Sequence, residues 1–172
     1  MIVVGLGNPG AQYDETRHNL GFMVLDALVD SLDWGTWKRA GQVEYLKRSG
    51  HVLVKPQEFM NVSGPTLQSF FSSKKILWVA NELMVIHDDL DFPLGTVRED
   101  RNRSSAGHQG VQSLIDTFGT EDFWRLRLGI GDNRARSIPA ETYVLQPFPE
   151  EAQPLLADMI GQAVALLQKK LA

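Results

Sequence analysis

His18 lies between Arg17 and Asn19 in a polar stretch, with Asn8 and Tyr13 a few residues upstream, and His87 leads an aspartate cluster, Asp88, Asp89 and Asp91, that follows an apolar run. Imidazole titrates near neutral pH, so a histidine can take a proton from water and return it to a leaving group. The aspartates admit three readings. They could form an oxygen site for a hard divalent cation, they could be a solvated turn, or one carboxylate could accept a histidine Nδ1–H, fixing its tautomer and stabilising the imidazolium. Placement favours the third, because sites in open α/β sheets form beyond the carboxyl ends of strands, and both the Asn8 turn and Asp88 follow a strand-like run. Of the other histidines, His51 is expected at the surface of a hairpin, His87 reads as structural at least as readily as functional, and His108 sits between glycines. No H-E-x-x-H, G-x-S-x-G or P-loop pattern occurs, so water activated by a His–Asp pair is the economical chemistry.

Gly5, Gly7 and Gly10 satisfy the letter of the dinucleotide fingerprint, yet no helix opens at the third glycine, and Asp30 falls inside an amphipathic run instead of ending a second strand. A nucleotide-binding oxidoreductase is therefore disfavoured. The glycines read as a turn that lets the backbone pass close to a neighbour.

The chain has 172 residues, 43% of them hydrophobic, which suits one domain with one substantial core. It has no cysteine, which removes thiol nucleophiles, Cys-ligated zinc and disulfides, and makes a cytoplasmic location the default. No signal-peptide pattern or membrane-spanning run is present, and no membrane partner is expected. Seventeen basic residues against 21 acidic give a net charge of -4, which by itself argues against nucleic acid. Charge is sorted by position, however. Residues 98 to 136 hold seven of the ten arginines against six acidic residues, so that stretch is +1 and the remainder -5.

The elements that must position these residues alternate. A short β-branched strand (Ile2 to Val4) precedes a polar loop and an apolar stripe from Leu20 to Leu32 with helical spacing, for which Thr16 or Asn19 could serve as cap. Extended runs at 43–47 and 52–55 predict a hairpin; a helix is expected near 66–71 and a buried strand at 83–86, ending at His87. A short strand through Val97 should give way to an irregular stretch, 98–107, followed by a helix over 111–118, a strand over 125–130 and a last helix over 150–171. The alternation predicts an α/β fold, a single domain spanning 1–172 with a twisted mixed β-sheet flanked by helices.

Gly5-Leu6-Gly7-Asn8-Pro9-Gly10, Tyr13, Thr16-Arg17-His18-Asn19 and Gly21 are followed by Lys55-Pro56 and Phe59-Met60-Asn61-Val62-Ser63-Gly64. Then come His87-Asp88-Asp89-Leu90-Asp91 with Pro93 and Gly95, Gly107-His108 with Gly110, and Arg125-Leu126-Arg127 with Gly129-Ile130-Gly131. In order and spacing over about residues 2 to 150, this set resembles the bacterial-type peptidyl-tRNA hydrolases. The resemblance implies hydrolysis of the ester joining a peptide to the 3′ end of tRNA, with peptidyl-tRNA as partner, no cofactor, no metal, and a monomer. It implies His18 as general base and Asp88 as the carboxylate that orients it. Asn8 and Asn61 would position substrate and water, and Tyr13, Phe59 and Met60 would shape the cleft around the ester and peptide. An inactive RNA-binding homologue is the competing reading, and joint retention of His18, Asp88, Asn8 and Asn61 argues against it.

Two departures from the family pattern stand out. Gln109 occupies the place of an asparagine, keeping an amide on a side chain one methylene longer. Upstream, Asp100 replaces an expected positive charge, and Arg103 and Ala106 replace glycines. Arg98, Arg101 and Arg103, with Arg136 as a further contact, are expected to grip phosphate; the competing reading is a solvated loop paired internally with Glu99 and Asp100.

Overall fold

The computed structural model describes residues 1–131 and 137–172. Among these residues, seven strands form one sheet in the order β2-β3-β4-β1-β5-β7-β6. Its centre, β4 (His51–Pro56), β1 (Ile2–Gly5), β5 (Leu83–Pro93) and β7 (Trp124–Gly131), is parallel. Antiparallel strands finish both edges: β2 (Lys38–Ala40) and β3 (Val43–Arg48) on one side, β6 (Val97–Arg101) on the other. β1 is buried at every residue, as expected for a strand covered on both faces.

Helices cover the two faces. α1 (Leu20–Leu32) and α5 (Gln153–Leu171) pack with Val3, Met84, Ile86, Leu126 and Leu128 on one. α2 (Ser63–Ser73) and α3 (Gln109–Phe118) pack with Ile2, Val4, Leu83 and Val85 on the other. A short helix, α4 (Ala140–Val144), precedes α5. Among the described residues, no helix is long and apolar enough to cross a membrane.

The glycine turn has a packing explanation. A Cβ on Gly5 would strike the Gly21 carbonyl, and one on Gly21 would strike the backbone of Leu6 and Ile86. These two glycines let α1 begin against the sheet backbone, which brings the residues just before α1 to the ends of β1 and β5.

Four expectations are corrected. β5 does not end at Ile86: it continues with His87, Asp88 and Asp89 paired to Arg127, Leu128 and Gly129 of β7, because each buried polar side chain finds a partner there. The stretch 98–107 is not irregular from its start. Arg98 to Arg101 belong to β6, a charged edge strand whose Glu99 meets Lys170 while Asp100 meets Arg127. Neither expected cap acts through its side chain: Thr16 Oγ1 donates to the Tyr13 carbonyl, and the Asn19 amide is engaged with Asn8. His51 is half-buried beside the N-terminus and not fully at the surface.

Candidate active site

The site forms where β5 outruns β1. Register ends at Gly5↔Ile86, so His87, Asp88 and Asp89 project past the end of β1. Into that space comes the turn Arg17–Asn19, placed by the Gly5–Gly21 approach and by Arg17. Arg17 is buried, donates to the carbonyls of Gln146 and Pro147 at 3.1 and 3.0 Å, and lies 4.1 Å from the centre of the Tyr143 ring.

His18 Nδ1 lies 2.9 Å from Asp88 Oδ1. His108 Nε2 lies 3.0 Å from the same oxygen, and the two rings are 4.7 Å apart. Burial opposes the charge on Asp88, but the attraction of His18 and then of His108, with both hydrogen bonds, holds its carboxyl far below the usual carboxylate range. Burial also opposes protonation of His18, yet the Asp88 charge and hydrogen bond prevail and raise its pKa above 6.5. For His108 burial prevails, and its pKa falls. His87 is pushed well below 6.5 by burial and by His108; its Nδ1 pairs with the Asp88 carbonyl at 2.8 Å. With Nδ1–H of His18 donated to a carboxylate, Nε2 is the nitrogen left to act as base.

Donor atoms of His18, Asp88 and His108 lie within 4.8 Å of one another, a spacing compatible with metal ligation. Here both ring nitrogens contact a single oxygen at hydrogen-bond distance, so the group is read as a hydrogen-bonded cluster.

Asn8 is held at both ends. Its backbone N–H and carbonyl pair with the Asn19 amide at 2.9 and 3.0 Å, and its Oδ1 accepts the Met60 N–H at 2.9 Å. Because Oδ1 takes that donor, Nδ2 is the end left over at the wall of a cleft of about 370 Å³. Asn8, Tyr13, His18, Phe59, Met60, Asp88 and Gln109 all line this cleft, as do Asp89, Asp91 and Glu141. Tyr13 and Phe59 meet edge-on at 6.4 Å, and Phe59 is 55% exposed. Asn61 is exposed in the turn after Met60 and does not line the cleft.

The arginines are dispersed. Arg98 is largely exposed, with its Nε 3.3 Å from Asp100. Arg101 makes a two-pronged pair with Asp122 at 2.7 and 3.1 Å. Arg103 is exposed. Arg136 lies outside the described residues. Asp100 also reaches Arg127 at 2.8 Å, and Arg127 reaches Asp89 at 2.6 Å. Buried Arg125 donates to the carbonyls of Arg103 and Ser104 at 2.6 and 3.1 Å, so it holds the loop that leads to His108; burial lowers its pKa to about 10.

Sequence reasoning missed His108, Arg17 and Arg127 as parts of the site. His108 stood in a motif that was recognised, but its neighbour Gln109 drew the assignment. The two arginines gave no spacing signal, since their partners are 129 and 38 residues away.

The sequence model of the family described as Peptidyl-tRNA hydrolase matches residues 2–172. The peptidyl-tRNA hydrolase of Thermodesulfovibrio yellowstonii is 40% identical over 169 residues, covering 95% of this chain and 88% of that protein. That of Aquifex aeolicus is 41% identical over 172 residues, covering 98% and 88%. A crystal structure of peptidyl-tRNA hydrolase from Acinetobacter baumannii aligns with a TM-score of 0.79 at 30% identity, over 95% of this chain and 84% of that one.

Proposed function

The chain belongs to the peptidyl-tRNA hydrolase family and is a carboxylic ester hydrolase acting on peptidyl-tRNA; for its mechanism, we propose that His18, held by Asp88, activates the attacking water. The observation that carries this reading is the 2.9 Å contact between His18 Nδ1 and a buried Asp88, which leaves His18 Nε2 available to the cleft. Nε2 takes a proton from water as its oxygen bonds to the ester carbonyl carbon. Negative charge gathers on the former carbonyl oxygen, and Asp88 stabilises the imidazolium. Collapse breaks the bond to the tRNA 3′ oxygen, which leaves with the proton from His18. The products are the peptide carboxylic acid and the free tRNA 3′ hydroxyl.

Asn8 Nδ2 is assigned as a donor to the developing oxyanion, since the Met60 N–H fixes Oδ1 and Asn19 holds the Asn8 backbone in place. Removal of one such donor in other enzymes costs about 2.7–4 kcal/mol of barrier. Gln109 is assigned to the substrate's polar groups inside the cleft, exposed Asn61 to those that extend beyond it, and Tyr13, Phe59 and Met60 to the apolar wall around ester and peptide. Arg98, Arg101 and Arg103, with Arg136, are assigned to tRNA phosphates. The enzyme is proposed to act as a monomer in the cytoplasm, where a cysteine-free chain is at home.

Release of peptide from peptidyl-tRNA tests the assignment. His18→Ala is expected to lose about 10²- to 10⁴-fold in kcat/KM, the range for loss of a general base. Turnover at the wild-type rate would remove His18 from the mechanism. Absence of hydrolysis by the wild type, with tRNA still bound, would favour an inactive RNA-binding homologue.

A further inference from the structure

We infer that His108 sets the basicity of His18 through the carboxylate oxygen the two rings share, acting as a positioning residue of the reaction. The inference rests on the assignment of His18 as base. His108 is the N-cap of α3, and its Nδ1 accepts the Val111 N–H at 3.3 Å. A backbone N–H can only donate, so that nitrogen carries no proton and the ring's proton is on Nε2, 3.0 Å from Asp88 Oδ1. A second proton would break the cap and place a positive charge at the positive end of a helix dipole. His108 is therefore a fixed neutral donor.

Asp88 Oδ1 thus accepts two N–H groups, one from a ring that must titrate and one from a ring that must not. Each donor draws on the charge of the same oxygen, so His108 weakens the hold of Asp88 on the His18 proton. Asp88 still orients His18, but a larger fraction of His18 remains neutral and able to accept a proton from water. The groups around this pair are Asp88, Asp89 and His87 on β5, His18 before α1, and Arg125 on β7, which acts on His87. His87 stands edge-on to His108 at 4.8 Å and is kept neutral by burial, so it brings no competing charge. The ring of His108 is aimed by the left-handed residues Ala106 and Gly107, at φ 47° and 83°.

The test reads His18 directly. Its imidazole resonances are titrated by NMR in the wild type, in His108→Ser and in His108→Gln, beside pH profiles of kcat/KM. Serine still caps α3 but cannot reach Asp88; glutamine keeps an N–H near the place of Nε2. His108→Ser is expected to raise the His18 pKa by about half a unit or more, and to move the acid limb of the profile with it. That costs about threefold in activity below the limb and less above it. His108→Gln should titrate as wild type does. An unmoved His18 titration in folded His108→Ser, whatever its activity, overturns the inference and leaves His108 a helix cap. Should that variant not fold, His108→Asn, whose capping amide is too short for Asp88, is read in the same way. Wild-type turnover in His18→Ala would instead overturn the base assignment, a separate result.

Discussion

Asp88 and Asp89 are adjacent on β5, yet their carboxylates take different kinds of partner. Asp88 meets two imidazoles, one of which, His18, can take up a proton; Asp89 meets the guanidinium of Arg127, whose charge is permanent. The second pair is completed by Asp100 at 2.8 Å, so one arginine ties the site strand β5 to the edge strand β6. Both carboxylates are buried beside the same cleft. The difference is in the partner: a titratable one leaves a proton that can move, whereas a permanent charge leaves a static clamp.

Substitution on each side should therefore break different things. Asp88→Asn retains size but presents an amide to two donors, and is expected to lower kcat/KM by about 10²- to 10⁴-fold through loss of the oriented base. Arg127→Met leaves two carboxylates facing each other without compensation, and is expected to lower stability by about 3–5 kcal/mol. Denaturant unfolding and peptide-release kinetics on both proteins check the contrast. Equal stability losses would mean that the two carboxylates do the same structural work.

The contrast also marks what was legible in the sequence. Apolar periodicity placed α1, α3 and the central strands, because their stripes are set by burial, and the charges at its two ends placed α5. It could not extend β5 past Ile86 or carry β6 beyond Val97, since charged residues there are paired across the sheet with partners that periodicity does not register. The His18–Asp88 contact joins segments 70 residues apart; the resemblance supplied it, while residue types alone left a cation site and a solvated turn open. His108 went unassigned because its role depends on a cap and a shared oxygen, both of them tertiary facts.

Stability should follow pH with opposing signs inside the site. His87 and His108 have lowered folded pKa values, so below about 6.5 the unfolded chain binds protons that the folded chain refuses, and stability falls with falling pH. His18 is raised, so its contribution is fully present below 6.5 and is lost as pH rises through its folded pKa. Asp88 stabilises above its unfolded pKa of 3.8 and loses that contribution only as pH falls far below it. Below 6.5 His18 adds no slope, so His87 and His108 set it, and denaturation midpoints should drop from about pH 6.5 to about pH 5. The slope for each histidine is at most about 1.4 kcal/mol per pH unit. His87→Gln should flatten this drop. An unchanged slope would place the acid sensitivity elsewhere.

The smallest expected effect concerns the arginines, which differ in freedom as the two aspartates differ in partner. Arg103 is exposed, Arg98 has a single-pronged 3.3 Å contact to Asp100 and lies 5.3 Å from the centre of the Phe92 ring, and Arg101 is bound by two prongs to Asp122. A cation reaches a phosphate cheaply only if it gives up little to do so, which ranks Arg103 and Arg98 ahead of Arg101 and excludes buried Arg127. Removing one cation from a phosphate should reduce the slope of log K against log salt by about one. Arg103→Ala is therefore expected to make tRNA binding about threefold to fourfold less sensitive to a rise from about 50 to 200 mM salt. Arg101→Ala should change the slope less, because its charge is already engaged by Asp122. A slope reduced by a full unit in Arg101→Ala, and unchanged in Arg103→Ala, would show that the phosphate draws Arg101 off Asp122, and that exposure in the free protein does not select the docking cations.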